Sequence, residues 1–545
     1  MLQQTALILI SGLIFLFSFT PDYEEYQRLS PLVTVLLILA FTFIPPLLCY
    51  FLGRILIRRF PDDYDRQLWQ LRKLNYFASI FSILILCGFI FEIYYLRLPV
   101  MVNGIFSPLG FTNIRLLACM FPLVVSILLN KFVVFELERK IRFTFSVRSF
   151  LSLNLKLMFF PALPFIISLL ISDIIDHSPL NIRIFFITHS YLYWAIMLII
   201  ITIAFIKAPF FLRRIWQSRP LPPGDIRRNI ESLADREGIR YRDILVWNMQ
   251  GSKIANAGVS GLTAKSRYIF VTDSLLENFS ADEIETIVAH EFCHIKHKHI
   301  PSYLIFSFGY LIFYTFLYTR LFPVIEHIKL GNILSAFLGA LVTIGAFLLY
   351  FVFIFRYLSR NFERQSDLCA ISMTGKADSF KSALTKLAWI NYIPHRISRL
   401  SEIFRTHPSI DNRLELVDRY IAGDREVLQY MHPVFGAART TGLVAVLLIA
   451  ILFIDKDYFF PPDEMHYEMG RQYAIEGMID EAIDQFKEAV RYDPGRHDAF
   501  FALGLLYAQK GSIEDAIREL KTVLELDPQN KAARERLEQI MKKEE

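Results

Sequence analysis

The 545-residue sequence predicts a mainly α, polytopic membrane protein with a small α+β domain set into its second half and a helical solenoid at its C-terminus. Three observations carry that prediction. Hydrophobic residues make up 54% of the chain, charged residues only 20%, and Phe occurs 50 times; with a mean hydropathy of +0.38, this is far from a soluble composition. Apolar runs recur along the chain but are broken by a charged, turn-rich stretch opening at residue 218. Residues 462–545 repeat themselves with a period of 34.

The net charge of +5 is modest, and the basic residues cluster beside apolar runs rather than in a stripe interleaved with aromatics. That excludes nucleic acid as a partner and points to the lipid bilayer.

Apolar runs lie near 5–19, 31–53, 76–96, 114–134, 157–175, 187–208, 303–323, 333–355 and 440–454. A helix needs about 20 residues to cross roughly 30 Å of hydrocarbon, and most of these runs approach that length. The first lacks a basic leading segment and a small-residue cleavage site, so it reads as a retained helix rather than a signal peptide. Residues 1–208 are thus an N-terminal membrane region of about six helices, and 440–454 a last membrane helix. The loops alternate in charge. Segments 54–75, 135–156 and 207–219 are rich in Arg and Lys, whereas 20–30, 97–113 and 176–186 hold about one basic residue each. The positive-inside rule then puts 209–302 and 356–439 in the cytoplasm and everything after 455 outside, in what is expected to be a bacterial inner membrane.

"SRPLPPGD" (218–225) opens a globular region, 218–425, interrupted by a membrane hairpin at 303–355. An amphipathic helix near 225–237 is stopped by Gly238, and "DILVWNM" (243–249) and "KSRYIFVTD" (265–273) read as strands around the turn-rich "NAGVSGL" (256–262). The five cysteines show no CxxC spacing, so neither a disulfide framework nor a cysteine metal cluster is expected, and Cys293 reads as a packing residue.

The stretch "IVAHEFCHIKHKHI" (287–300) carries the chemistry. Ser280 and Glu283 stand in capping-box spacing and start a helix. On it His290 and His294, four apart, project from one face and can share one ion, while Glu291 is angled toward a water rather than the metal. This is the HExxH arrangement, in which zinc acidifies a water and the carboxylate takes its proton. A third ligand must come from elsewhere, because one straight helix cannot converge three side chains on a tetrahedral ion. His297 and His299 therefore read as polar residues where the helix meets the membrane. Glu363 and Asp367, four apart in "YLSRNFERQSDLCAISMTG" (357–375), are the better acidic candidates.

In the tail, Gly470 aligns with Gly504, Tyr473 with Tyr507, Gly477 with Gly511, Ala482 with Ala516 and Pro494 with Pro528. This order resembles the tetratricopeptide repeat, which implies a groove that holds a protein partner.

Four motifs in order, "NAGVSG", "VAHEFCHIKHKH", "SRNFERQSDLCA" and "THPSIDNRL", resemble the membrane metallopeptidases of family forty-eight, the HtpX and CaaX prenyl endopeptidase type I relatives. The resemblance covers roughly residues 220–420, and neither the first six membrane runs nor the tail. It implies a gluzincin-type α+β domain holding one Zn2+ per chain through His290, His294 and Glu363, with Glu291 as the base. It further implies that His407 stabilises the oxyanion, Asp367 orients a ligating histidine, Arg413 braces the acidic ligand, and Asn256 and Ala257 lie on the edge strand that pairs with substrate. The expected function is a zinc-dependent integral membrane metalloendopeptidase acting on membrane-associated or misfolded proteins. The alternative is an assembly scaffold working through its repeats with a non-catalytic zinc site; prenyl-peptide processing ranks third.

Overall fold

The computed structural model describes residues 29–57, 63–106, 117–139, 147–249, 253–303, 305–306, 309–310, 313, 332–398, 402–403, 405–430, 461–528 and 530–544. The expected membrane helices at 5–19 and 440–454, and most of that at 303–323, lie outside them. The chain forms two compact units, residues 1–165 with 202–446, and residues 166–201 with 447–545.

The membrane runs between 31 and 208 become α1 (Pro31–Ile57), α2 (Tyr64–Tyr94), α3 (Phe121–Glu138), α4 (Val147–Asp176) and, after a short α5 (Leu180–Thr188) in the intervening loop, α6 (Ser190–Ile215). Among the described residues three stretches are long and apolar enough to cross a membrane: Pro31–Ile55, Arg66–Tyr94 and Phe337–Thr374. Helices α1, α2 and α3 pack around Ile38, Phe89, Leu123 and Ile127. Buried polar groups tie them together: Ser126 Oγ donates to Thr42 O at 2.9 Å, and Asn130 Nδ2 donates to Ala78 O at 3.0 Å. In hydrocarbon such groups have no water to turn to, so they pair across helices.

The soluble region builds a four-stranded sheet, β1 (Arg219–Pro220), β2 (Asp243–Trp247), β3 (Ala257–Ser260) and β4 (Tyr268–Thr272), in the order β1-β2-β4-β3. β2 and β4 run parallel and β3 is an antiparallel edge. The amphipathic helix α7 (Asp225–Arg236) follows β1, and Gly238 after it has a φ of 67°. Between β3 and β4 the chain turns at Gly261, where φ is +123° and an added Cβ would lie 2.4 Å from Ser266 O. Only glycine fits there.

Helix α8 (Ala281–Lys296) starts at a full capping box: Ser280 Oγ accepts from the Glu283 amide, and Glu283 Oε2 accepts from the Ser280 amide. Helix α9 (Asn332–Leu348) passes through a π turn at Leu349–Ile354 into α10 (Phe355–Thr374). The membrane run and the stretch carrying Glu363 and Asp367 are therefore one helical rod, locally re-phased by that turn. α11 (Ala377–Ile390) and α12 (Ile410–Ile421) complete the domain, whose core joins Ile244, Ile269, Val288, Phe292, Ala370 and Phe380.

One sequence expectation is corrected here. Cys293 of α8 and Cys369 of α10 form a disulfide, with Cα atoms 6.1 Å apart. Spacing could not reveal it, because the pair is 76 residues apart and meets only when the two helices pack. Cys293 does sit in the core of the domain.

In the second unit, α13 (Pro462–Ile475), α14 (Ile479–Tyr492), α15 (His497–Lys510), α16 (Ile513–Leu526) and α17 (Lys531–Glu544) form the solenoid. Its small residues matter through contact: an added Cβ at Gly470 would lie 3.0 Å from the Phe486 ring, and at Gly504 2.8 Å from Leu520 Cγ. Arg183 of α5, itself buried, donates to Gln472 at 2.7 Å and pairs with Glu476, so α5 docks on the first repeat helix.

Candidate metal centre

Three donor-bearing side chains converge. His290 and His294 stand one turn apart on α8, and α10 packed against it supplies Glu363; one donor atom from each lies within 4.8 Å of the others. His290 Nε2 is 3.2 Å from His294 Nε2 and 3.3 Å from Glu363 Oε2, and His294 Nε2 is 3.5 Å from Glu363 Oε1. Two imidazoles and a carboxylate offering lone pairs to one point are a donor set that fits a divalent metal ion.

Behind this triangle stands a charged pair. Asp367, fully buried, has its Oδ1 2.9 Å from His290 Nδ1 and accepts twice from Arg413, at 2.9 Å and 2.6 Å. Arg413 thus braces Asp367 and not, as the resemblance implied, the acidic ligand Glu363. The cause is register: Asp367 lies one turn beyond Glu363 on α10, level with Arg413 of α12.

Glu291 is held from the sheet side. Its Oε2 accepts from the Val259 amide at 3.3 Å. The register explains why: the Asn256 carbonyl accepts from the Thr272 amide, and alternation along the antiparallel pair then turns the backbone groups of Ala257 and Val259 toward the open edge. Asn256, whose amide is also taken by Thr272 Oγ1, has its backbone turned inward. Of the two residues expected at the substrate edge, Ala257 has its backbone at the open edge.

His407 arrives on the loop before α12. Arg360 of α10 fastens that loop by donating to the carbonyls of Glu402, Ile403 and Arg405. The His407 side chain is 61% exposed, and its Nδ1 lies 2.7 Å from Glu363 Oε2.

Burial and these neighbours set the proton equilibria. Burial alone pulls the His290 imidazole down, but Asp367 and Glu363 override it and hold it up at about 10. His294, buried beside His290, is driven down to about 3. Burial pushes the Glu291 carboxyl up, opposed by His290 and reinforced by Glu363.

The other two histidines separate. α8 ends at Lys296, and Lys298 takes a left-handed φ of 56°. This turn folds the chain back so that His299 is 1% exposed and its Nδ1 lies 2.8 Å from His294 Nδ1. His299 is therefore not the interface residue that an unbroken helix toward Pro301 predicted; His297 is half-buried at the helix end. Sequence reasoning also missed Val259, Arg360 and Gln365: they lie inside the quoted motifs, but they act through backbone or through other side chains, which spacing does not show.

Residues 220–421 match the family model "Peptidase family M48". Residues 473–540 match that of the tetratricopeptide repeat. Among curated proteins, the M48-like region is similar to a "Protease HtpX homolog" of Aeropyrum pernix, 24% identical over 41% of this chain and 83% of that one. It is also similar to "CAAX prenyl protease 1" of Saccharomyces cerevisiae, 28% identical over 41% of this chain and 55% of that one, so the chain spans about half of the yeast relative. The crystal structure of S. mikatae Ste24p aligns with a TM-score of 0.49 at 20% identity, over 71% of this chain and 99% of that one. The M48 match, the protease relatives and the apolar helices support a membrane metalloprotease.

Proposed function

We propose that this chain is a zinc-dependent integral membrane metalloendopeptidase that hydrolyses peptide bonds in membrane-associated or misfolded proteins, with His290, His294 and Glu363 as ligands. The observation that carries the reading is the size of the donor triangle. Bonds of about 2.0–2.1 Å to a tetrahedral zinc place neighbouring donors about 3.3–3.4 Å apart; the two Nε2 atoms are 3.2 Å apart, and each faces a different oxygen of the Glu363 carboxylate, His290 at 3.3 Å from Oε2 and His294 at 3.5 Å from Oε1.

When bound, the ion supplies Lewis acidity toward a water and the scissile carbonyl. The chain's own groups do the rest. A substrate strand pairs with the backbone of Ala257 at the open edge of β3, which delivers its carbonyl to the site. Glu291, steadied by the Val259 amide, takes the proton of the attacking water and passes it to the leaving amine. His407, exposed on the loop that Arg360 fastens, donates to the oxygen that gains negative charge. Asp367, clamped by Arg413, keeps the His290 ring in the orientation that turns Nε2 to the ion. Glu291→Gln should retain one zinc per chain and lose cleavage of casein or of an unfolded membrane substrate. Unchanged proteolysis in that variant would sink the assignment.

The metal domain is read as cytoplasmic from the loop charges, and the repeats as extracytoplasmic, binding a protein partner. The docking of α5 on α13 supports a common side for loop 176–186 and the tail. Burial of Cys293 and Cys369 is compatible with a disulfide shielded from cytoplasmic thiols. Protease added to intact spheroplasts should trim the repeats; a fully protected tail would reverse this topology.

A further inference from the structure

Resting on the metal reading above, we propose that His299 and Gln365 are positioning residues that set the tautomer of the ligand His294. His294 turns Nε2 toward His290 and Glu363, so as a ligand it keeps a lone pair there. A neutral imidazole then carries its hydrogen on Nδ1. That atom faces His299 Nδ1 at 2.8 Å, which must accept, and this leaves the hydrogen of His299 on Nε2. His299 Nε2 in turn lies 2.8 Å from Gln365 Oε1, an acceptor. Every member of the chain has one self-consistent role: Gln365 accepts from His299, and His299 accepts from His294.

The geometry leaves His299 little else to do. Its ring stacks on Phe362 at 4.0 Å and 5°, it is buried, and it lies on the side of His294 away from the donor triangle, which excludes it as a ligand. Phe362 and Gln365 belong to α10, the helix that carries Glu363 and Asp367. Each ligating histidine is thus referred back to α10, His290 through Asp367 and His294 through His299.

The test uses the full-length protein in detergent and reads zinc affinity by competition with a chromophoric chelator. His299→Leu removes the acceptor and should weaken zinc about 10- to 100-fold, the usual cost of losing a partner behind a ligand. His299→Asn restores an acceptor oxygen near the Nδ1 position and should recover most of that loss. Should His299→Leu not fold, Gln365→Met, which frees the His299 ring, should weaken zinc in the same direction. Melting of each variant with excess chelator reports the metal-free fold. Wild-type affinity in His299→Leu, or an equal loss in His299→Asn, overturns the proposal; a loss that tracks the metal-free melting temperature does so too. Failure of the wild type itself to bind zinc would instead overturn the metal reading.

Discussion

Two helix pairs in this molecule pack closely for opposite ends. In the solenoid, α15 and α16 approach because Gly504 leaves room for Leu520, and both helices feed one hydrophobic core through Leu503, Leu506, Ala516, Leu520 and Val523. In the metal domain, α8 and α10 approach with His290, His294, Glu363 and Asp367 turned toward one another. Apolar contact tolerates water poorly but costs nothing in charge, whereas the second contact holds buried charges that must all be partnered. The difference teaches where each will fail: the solenoid by volume, the metal domain by an unpaired charge.

The largest effect should follow from exploiting that contrast at Arg413. Arg413→Met leaves Asp367, fully buried, without its bidentate partner, and stranding a buried charge costs about 3–5 kcal/mol. Thermal melting should fall steeply and zinc binding with it. A variant that melts and binds like the wild type would show that the charge pair is not what holds α10 to α12.

A smaller and purely local effect is expected in the solenoid. Gly504→Val puts new carbon where Leu520 Cγ already lies 2.8 Å from an added Cβ, and Leu520 is fully buried. Overpacking of this kind costs about 1–3 kcal/mol. The repeat helices should lose ellipticity at lower temperature while zinc stoichiometry stays at the wild-type value; a change in stoichiometry would couple the two pairs.

The same contrast decides what could be read in the sequence. The repeat was legible because its packing rule recurs: small residues at 470, 482, 504 and 516 leave a period. Strands β2 and β4 were legible as short apolar runs bounded by turns, α7 from its amphipathic pattern and Gly238, and the start of α8 from Ser280 and Glu283. Within the site, His290, Glu291 and His294 share one helix and so show as a motif. Glu363 and Asp367 showed as an acidic pair four apart, and the resemblance chose Glu363 as the ligand, because no local rule ranks two carboxylates about seventy residues away. The Cys293–Cys369 disulfide, the Arg413–Asp367 clamp and His299 were illegible for one physical reason: each depends on the register of two elements or on a single left-handed residue, Lys298. Long-range register leaves no trace in spacing.

The smallest effect concerns protons, and it sharpens the contrast because the apolar α15–α16 contact offers nothing comparable to titrate. Asp367 and Glu363 hold the His290 imidazole up at about 10, so the metal-free site keeps a proton on His290 through the neutral range. A metal ion must displace that proton, since only the neutral ring offers Nε2 as a lone pair. The sign follows: below that value each step down in pH raises the concentration of the competing proton and weakens binding, while a step up strengthens it. One displaced proton corresponds to about a tenfold change in apparent zinc affinity per pH unit, about 1.4 kcal/mol. Chelator competition between about pH 6 and 8, with chelator protonation accounted for, should return a slope near one. Asp367→Asn removes the charge that raises His290 and should flatten the slope. A wild-type slope of zero would mean that His290 is already neutral in the metal-free site, and that its pairing with Asp367 orients the ring without holding a proton on it.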